Sequence, residues 1–175
     1  MSRIRTIKQT AMECFERRID RIEKELGSFY PSFTPIELRF FAALFVDIKF
    51  NCSGMNLIDP KSGDRANKVL IDYSRALFAL TIIVESQIQL HDWRVDFLIS
   101  CEEQRRFLIV ECDGHDFHER TREQAAKDRA RDRKFQQKGY TVFRFTGSEI
   151  YQDAPSCSSQ VIEWIATSSL AEAAE

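Results

Sequence analysis

The sequence lacks several features that mark particular classes of protein. It has no strong excess of charge, since its formal net charge is -2 over 175 residues and its isoelectric point is about 6.0. No global positive field therefore attracts nucleic acid or an anionic membrane, and such binding must come from a local patch. The chain also contains no internal repeat or low-complexity block.

Long hydrophobic runs and an even set of cysteines are missing too. The most apolar stretch, Ala76 to Val84, is far shorter than the roughly 20 residues that a membrane-spanning helix needs. The N-terminus has no apolar segment of a secretory signal, and the five cysteines are odd in number and irregularly spaced. These observations predict a cytoplasmic protein with reduced thiols and no membrane partner.

What is present is enough to build one packed domain with a helical extension. Hydrophobic residues make up 43% of the chain and include 14 phenylalanines, so a sizeable core is available. Apolar positions recur every three or four residues from Ile4 to Leu26, which predicts an amphipathic helix ending at Gly27. We expect an N-terminal extension over residues 1–30 and a main domain over residues 31–175. The helix packs on its own domain or pairs two chains in a homodimer, and the pattern leaves both open.

A second helix is predicted to start at a capping box. Thr34 suits the N-cap position, Pro35 the first helical position, and Glu37 follows three residues after Thr34. The helix that this box opens is apolar on most sides and is therefore expected to be buried. Residues 51–66 have the composition of a loop.

A β-rich region follows and predicts an α/β fold. Ile82 to Leu90, Trp93 to Ser100 and Arg106 to Asp113 are rich in β-branched and aromatic residues. A polar helix over about 118–138 separates the third strand from another apolar strand, Tyr140 to Phe145, and a last helix covers about 156–170. A helix between two apolar strands is a βαβ unit, so we expect an α/β sandwich with a central mixed sheet flanked by helices.

Three carboxylates are predicted to meet near the ends of the central strands. Asp96 lies among apolar neighbours, and Glu111 and Asp113 end the next strand on the same face, with Cys112 on the other. Three carboxylates brought together repel one another unless a divalent cation neutralises them. Oxygen ligands favour Mg²⁺ or Mn²⁺ over softer metals. Asp96, Glu111 and Asp113 are therefore the predicted metal ligands.

At these residues the sequence resembles a nuclease superfamily. The order of Asp96-Phe97, Glu111-x-Asp113-Gly114, a following histidine, Asp128-x-x-Arg131, Gly139 and the strand VFRF is similar to the PD-(D/E)XK superfamily. Within it, the sequence resembles the DUF559 and very-short-patch-repair-endonuclease-like branch over about residues 34–152. The resemblance implies a restriction-endonuclease-like fold and a metal-dependent DNA endonuclease.

The resemblance also implies site residues, with one departure. Asp96 and Glu111 match the metal ligands, but Asp113 replaces the superfamily's motif lysine, so no cation sits there. In the very-short-patch-like branch a histidine and a helix glutamate take part instead, which makes Glu37 and His118 the matching catalytic candidates. Gln124 resembles a glutamine that some of these nucleases use near the site.

A helix rich in basic residues follows the acidic positions. Between Glu119 and Lys138 it holds eight Lys or Arg against four Asp or Glu. Such a helix can hold the phosphates of DNA, although a charged helix is often only a solvated surface. The residues predicted to contact nucleic acid are His115, Arg122, Lys127, Arg129 and Arg133.

Two further functional classes remain open on sequence alone. A relative that lost activity with the motif lysine would bind nucleic acid without cleaving it. A zinc-stabilised module is suggested by Cys112-x-x-His115-x-x-His118. That spacing is not a usual finger, and Cys112 is expected to point away from the carboxylates.

Overall fold

A computed structural model of the protein describes residues 2–51, 56–57, 68–75, 78–101, 104–114 and 121–171. None of the helices in these ranges is both long enough and apolar enough to cross a membrane. The elements, in chain order, are α1 (Ser2–Phe29), α2 (Pro35–Asn51), β1 (Asn56–Leu57), β2 (Lys68–Arg75), β3 (Phe78–Leu90), β4 (Trp93–Cys101), β5 (Arg106–Asp113), α3 (Arg122–Gln137), β6 (Tyr140–Thr146) and α4 (Gly147–Ala171).

Across the described ranges the strands form one mixed sheet in sequential order. Each neighbouring pair from β1 to β5 is antiparallel, and β6 runs parallel to β5. The parallel register runs from Phe107 opposite Tyr140 to Asp113 opposite Thr146. A parallel pair needs a crossover connection, and α3 supplies it, so the predicted βαβ unit is confirmed.

Helices cover both faces of the sheet. One hydrophobic cluster joins α1, α2 and α4 to side chains of the sheet such as Phe97, Leu108 and Phe145. On the opposite face a smaller cluster packs Phe135 of α3 against Val95, Leu98 and Ile109. The predicted α/β sandwich with a central mixed sheet and an N-terminal helix is therefore confirmed.

The first helix runs past the residue at which the sequence predicted its end. It continues through Gly27 to Phe29, and the Tyr30 N–H donates to the Leu26 carbonyl at 2.8 Å. Leu26 and Tyr30 are both buried in the core, and this packing keeps the last turn helical. The capping role predicted for Gly27 is therefore wrong, whereas the predicted apolar stripe is confirmed in its second half, where Ile19 and Leu26 are buried and Phe15 and Ile22 pack against the core.

One arginine joins α1 to α2. The Arg39 side chain, 16% exposed, forms ion pairs with Glu16 at 2.6 Å, Asp20 at 2.7 Å and Glu23 at 3.1 Å. These acids lie on one side of α1, next to the fully buried Ile19. The amphipathic helix thus packs on its own chain.

Replacing Arg39 with Met should loosen this contact. The substitution keeps an aliphatic stem but removes the guanidinium that three carboxylates share, so we expect a loss of about 1–3 kcal/mol of unfolding free energy. Urea denaturation measures it. Arg17→Met is the control, because Arg17 is 77% exposed and pairs only weakly with Glu13 at 3.8 Å. Equal losses in the two variants would contradict the role given to Arg39.

The second helix begins at the predicted capping box. The Thr34 N–H donates to Glu37 Oε2 at 2.8 Å, and the Glu37 N–H donates to Thr34 Oγ1 at 3.4 Å. Most of the helix that follows is buried, as its apolar composition predicted. The core packing on α2 fixes its first turn next to the ends of the strands.

The boundaries of several strands in the sheet differ from those predicted from the sequence. β2 was not predicted, and it pairs with β3 along its whole length, from Lys68 opposite Glu85 to Arg75 opposite Phe78. This pairing carries β3 back to Phe78 rather than Ile82. Of the predicted loop 51–66, Asn51 ends α2 and Asn56–Leu57 form β1, and the rest lies outside the described residues.

The helices after β5 also differ at their starts. α3 begins at Arg122 after a Thr121 cap, and residues 118–120 of the predicted helix lie outside the described residues. α4 begins at Gly147 rather than at 156, because Thr146 and Glu149 form a capping box at 2.7 and 3.2 Å. A kink at Asp153, whose carboxylate accepts the Ser156 N–H at 3.0 Å, starts the part that the sequence predicted.

Candidate active site

The site begins where β4 and β5 stop pairing. Their last paired residues on this side are Phe97 and Val110. Beyond that point the Asp96 carboxylate, instead of a backbone carbonyl, accepts the Cys112 N–H at 2.8 Å. Asp96 is therefore held at the opening between two strands.

The β4 backbone is irregular at the same position. Val95 and Leu98 both pack in the cluster around Phe135, although residues three apart on a regular strand face opposite sides. On β3 the registers of the flanking residues place Gln87 opposite Asp96, and Gln87 has a φ of +52°. A non-glycine residue rarely adopts such a φ, and strained positions of this kind concentrate at functional sites.

Glu111 and Asp113 share one face of β5, as predicted. Glu111 Oε1 lies 3.1 Å from Arg131 Nη2 of α3, and Asp113 Oδ1 lies 3.3 Å from Arg144 Nη1 of β6. Cys112 is buried in the cluster on the opposite face. The strand alternation thus turns both carboxylates towards the side of the sheet that α3 covers.

Glu37 reaches the same place from α2. Its residue is 6% exposed, and its carboxyl makes side-chain hydrogen bonds with Gln87 and Asp96. Two carboxyl groups can share a hydrogen bond only when one carries a proton, and burial, which raises the pKa of both groups, favours that form. Glu37 therefore serves both the capping box and the acidic site, the two roles that sequence alone could not separate.

A close approach of α2 to the strand ends makes this contact feasible. A Cβ atom at Gly114 would lie 2.9 Å from Ile36 Cδ1, which is closer than carbon atoms tolerate, and Ile36 also packs beside Gly147. Gly114 directly follows Asp113 at the end of β5. The absence of a side chain at Gly114 thus allows the first turn of α2 to lie against the site.

Burial sets the protonation of the acids. It raises the pKa of Glu111 to about 7, even though Arg131 acts in the opposite direction. Burial also raises the pKa of Asp96 and of Glu37, and their mutual proximity to the other acids adds to this. The pKa of the buried Cys112 thiol is raised for the same reason, with further contributions from all four carboxylates. Four acids therefore surround one point of β5.

Two arginines at the site were not among the predicted site residues. Arg131 approaches Glu111, and Arg144 binds Asp113 and, at 2.8 and 2.9 Å, Asp132 of α3. The signal for Arg144 was a charge inside the apolar strand Tyr140–Thr146. Arg131 belonged to the Asp128-x-x-Arg131 pattern, but the sequence also allowed a simple intrahelical pair.

Two buried polar atoms of the site lack hydrogen-bond partners within the described part of the chain. They are Glu111 Oε1 and Arg131 Nε. The first lies 3.1 Å from Arg131 Nη2, but the N–H does not point at the oxygen, so the contact is an ion pair without a hydrogen bond. Buried polar groups are normally satisfied, and an exception suggests a missing ion, water or ligand.

The carboxylates fit a hard divalent cation in donor type. No group of three or more His, Cys, Asp or Glu side chains in the described ranges is arranged to hold a metal ion. Mg²⁺, however, is usually held by one or two carboxylates plus water and substrate phosphate. Asp96 and Glu111, with the orphaned Oε1 of Glu111, meet that smaller requirement.

The other predicted site residues fall into two groups. His115 and His118 lie outside the described residues. Gln124 accepts the Thr121 N–H through its side-chain carbonyl at 2.9 Å, in a capping box that starts α3. Gln124 is exposed there, as are the remaining predicted nucleic-acid contacts on α3, Arg122, Lys127, Arg129 and Arg133.

Comparison with known proteins identifies a family. The model of the family REase_MTES_1575, a restriction-endonuclease-like family, matches residues 72–165, just over half of the chain. The matched range contains Asp96, Glu111 and Asp113, whereas Glu37 precedes it. No curated protein and no solved structure matches the chain.

Proposed function

Since the chain belongs to the restriction-endonuclease-like family REase_MTES_1575, we propose that it is a metal-dependent endonuclease that hydrolyses phosphodiester bonds in DNA. One observation carries the proposal. Carboxylates from α2, β4 and β5 meet where β5 ends, and one of their buried oxygens has no hydrogen-bond partner among the described residues. The resemblance to the DUF559 and very-short-patch-repair-like branch is part of the same proposal.

Asp96 and Glu111 would hold Mg²⁺ or Mn²⁺, with Asp113 as a further ligand. A bound divalent cation would supply positive charge to the phosphate and lower the pKa of a water molecule. Asp96 is pre-positioned for this by the Cys112 N–H at 2.8 Å. Asp113 is held by Arg144, so it would exchange this contact for the cation.

Residues other than the metal ligands would transfer the protons. His118 is the preferred acceptor of the proton from the attacking water, since imidazole titrates near neutral pH. Glu37, whose pKa burial raises, is a second acid–base candidate through its hydrogen bond with Asp96. Gln124 at the start of α3 would orient water or phosphate rather than transfer a proton.

The exposed arginines of α3 would hold the phosphate backbone of DNA. The double variant Arg129→Gln/Arg133→Gln should weaken binding of duplex DNA regardless of sequence and lower the slope of log affinity against log salt by about 2. Fluorescence anisotropy at several salt concentrations measures both. Arg17→Gln/Arg21→Gln is the matched control, since these arginines are also four residues apart and are 77% and 79% exposed on α1. Equal slopes in the two double variants would contradict a DNA surface on α3.

A plasmid assay tests the activity itself. Supercoiled DNA should be nicked by the wild type with Mg²⁺ or Mn²⁺ and left intact with a chelator. Asp96→Asn should lose the activity, because a neutral amide cannot replace a charged ligand. Activity that survives in Asp96→Asn would reveal a contaminating nuclease or a wrong site.

A nuclease-fold protein that binds DNA without cutting it is the second candidate. It is favoured by the pairing of Glu111 and Asp113 with arginines, and it predicts a gel shift without nicking. Ile19 and Leu26 of the α1 stripe are buried within their own chain, so a homodimer through that helix would have to use another part of its surface, and sedimentation tests this. We also propose a cytoplasmic location, because the odd number and irregular spacing of the cysteines indicate reduced thiols.

A further inference from the structure

The position of Arg131 suggests more than an ion pair with Glu111. Its Nη2 lies 3.1 Å from Glu111 Oε1 without a hydrogen bond, and its buried Nε has no partner among the described residues. The guanidinium carries five N–H donors, and each buried donor left unpaired costs stability. In a structural ion pair these groups are normally aligned, as they are for Arg144.

Arg144 shows what a structural arginine looks like at the same site. It donates from Nε and Nη2 to the two oxygens of Asp132 at 2.9 and 2.8 Å, and its Nη1 faces Asp113. This fork on a carboxylate is the geometry that arginine favours. Arg131 has the same exposed fraction of its side chain, 19%. Its Nε, however, has no hydrogen-bond partner among the described residues.

The charge balance at the site requires a cation near the reacting phosphate. Four carboxylates surround Cys112, and Arg144 is already committed to Asp132 and Asp113. Hydrolysis of a phosphodiester places additional negative charge on the phosphoryl oxygens in the transition state. On β5 itself the position two residues after Glu111 is the acid Asp113, so a protein cation that acts beside the proposed metal has to come from another element.

We propose that Arg131 is the catalytic residue that binds the scissile phosphate and stabilises the charge that develops on it. The proposal rests on the proposed nuclease function. In the step, the oxygen of water bonds to phosphorus, the bond from phosphorus to one ester oxygen breaks, and the proton of water goes to the general base. The departing oxygen takes a proton from solvent. Arg131 exchanges no proton and donates through Nε and Nη2.

Single-turnover cleavage at saturating Mn²⁺ tests this role. Arg131→Gln should slow the step by about 10²-fold, the usual cost of removing one donor to a developing charge. Arg131→Lys, which keeps the charge without the fork, should recover part of the rate. Lys134→Gln is the control, because Lys134 lies one turn further along α3 over the Trp93 ring, 5.1 Å from its centroid, and it should match the wild type. A wild-type rate for Arg131→Gln at high Mn²⁺ would overturn the proposal, since Arg131 would then only neutralise Glu111.

DNA affinity in Ca²⁺, without cleavage, gives a second reading. If Arg131 contacts phosphate, the gain in duplex affinity that Ca²⁺ causes should shrink several-fold in Arg131→Gln and persist in Lys134→Gln. An unchanged gain overturns the proposal. Melting temperatures of all variants test whether they are folded. If Arg131→Gln does not fold, Arg131→Lys is used in its place.

The two readings separate this inference from the proposed function. A wild type that cuts DNA while Arg131→Gln is unaffected keeps the nuclease and overturns the role of Arg131. A wild type that shows the Arg131-dependent gain in Ca²⁺ but never cuts contradicts the nuclease and supports the phosphate contact. A wild type that shows neither cleavage nor a Ca²⁺-dependent gain in DNA affinity contradicts both the nuclease function and the phosphate contact.

Discussion

Glu111→Gln should abolish metal-dependent cleavage and, without metal, make the protein more stable above pH 7. Both effects follow from the loss of one buried carboxylate. Glu111 is 6% exposed, and its Oε1 is a buried atom without a hydrogen bond in the described structure. A neutral amide binds a divalent cation far more weakly, so we expect cleavage to fall by at least about 10³-fold, a loss of about 4 kcal/mol or more in transition-state stabilisation.

The gain in stability depends on pH in a defined direction. The pKa of Glu111 is raised from its ordinary value of 4.5 to about 7 in the folded protein. Between these values the folded state binds more protons than the unfolded state, so the wild type loses stability as pH rises from about 4.5 to 7. Glutamine removes this loss, and the variant should gain on the order of 1–3 kcal/mol at pH 8 relative to pH 4.5.

Urea denaturation with a chelator at pH 5 and pH 8 measures the difference. Glu163→Gln is the control, since Glu163 is exposed on α4 and should leave both activity and pH dependence unchanged. A Glu111→Gln variant with the same pH dependence as the wild type would show that Arg131 fully compensates the buried charge. Retained cleavage would remove Glu111 from the proposed metal site.

Phe97→Ala should cause a large loss of stability. Phe97 is fully buried, and its ring lies 5.5 to 5.6 Å from the rings of Phe33, Phe40 and Phe41. It thus connects β4 to α2 and to the segment before it. Truncating such a side chain costs about 3–5 kcal/mol, through lost burial and the cavity that remains.

The loss should also reach the acidic site, because Phe97 follows Asp96 and anchors the helix that carries Glu37. Equilibrium unfolding followed by circular dichroism measures the loss, with Phe97→Leu as the milder variant at under about 2 kcal/mol. Phe29→Ala is the control, since Phe29 is 58% exposed. A loss in Phe97→Ala no larger than in Phe29→Ala would contradict the described core.

Sequence patterns correctly predicted those elements whose structure depends on residues close together in the chain. β5 was predicted with its observed ends because a nearly continuous apolar run is typical of a strand covered on both faces. The capping box at Thr34 was also correct, because its hydrogen bonds join residues three apart. Gly27 was misjudged, since the tertiary packing of Leu26 and Tyr30 outweighs the tendency of glycine to end a helix.

The site was predicted only as far as local spacing determines it. The shared face of Glu111 and Asp113 follows from the strand period, and it is confirmed by their contacts with Arg131 and Arg144. The arginines themselves were missed because their partners are 20 and 31 residues away in the chain. The contact of Glu37 with Asp96 depends on how α2 packs against Gly114, which no local pattern contains.

The position of α2 also limits where the chain can be cut without uncovering the sheet. The family match starts at residue 72, but α2 lies before it and covers one face of the sheet with Phe40, Phe41 and Leu44. A fragment limited to residues 72–165 would expose that face to water and lose Glu37. Recombination or truncation at the family boundary would therefore produce an aggregating sheet, whereas a cut before Thr34 preserves the carboxylate set.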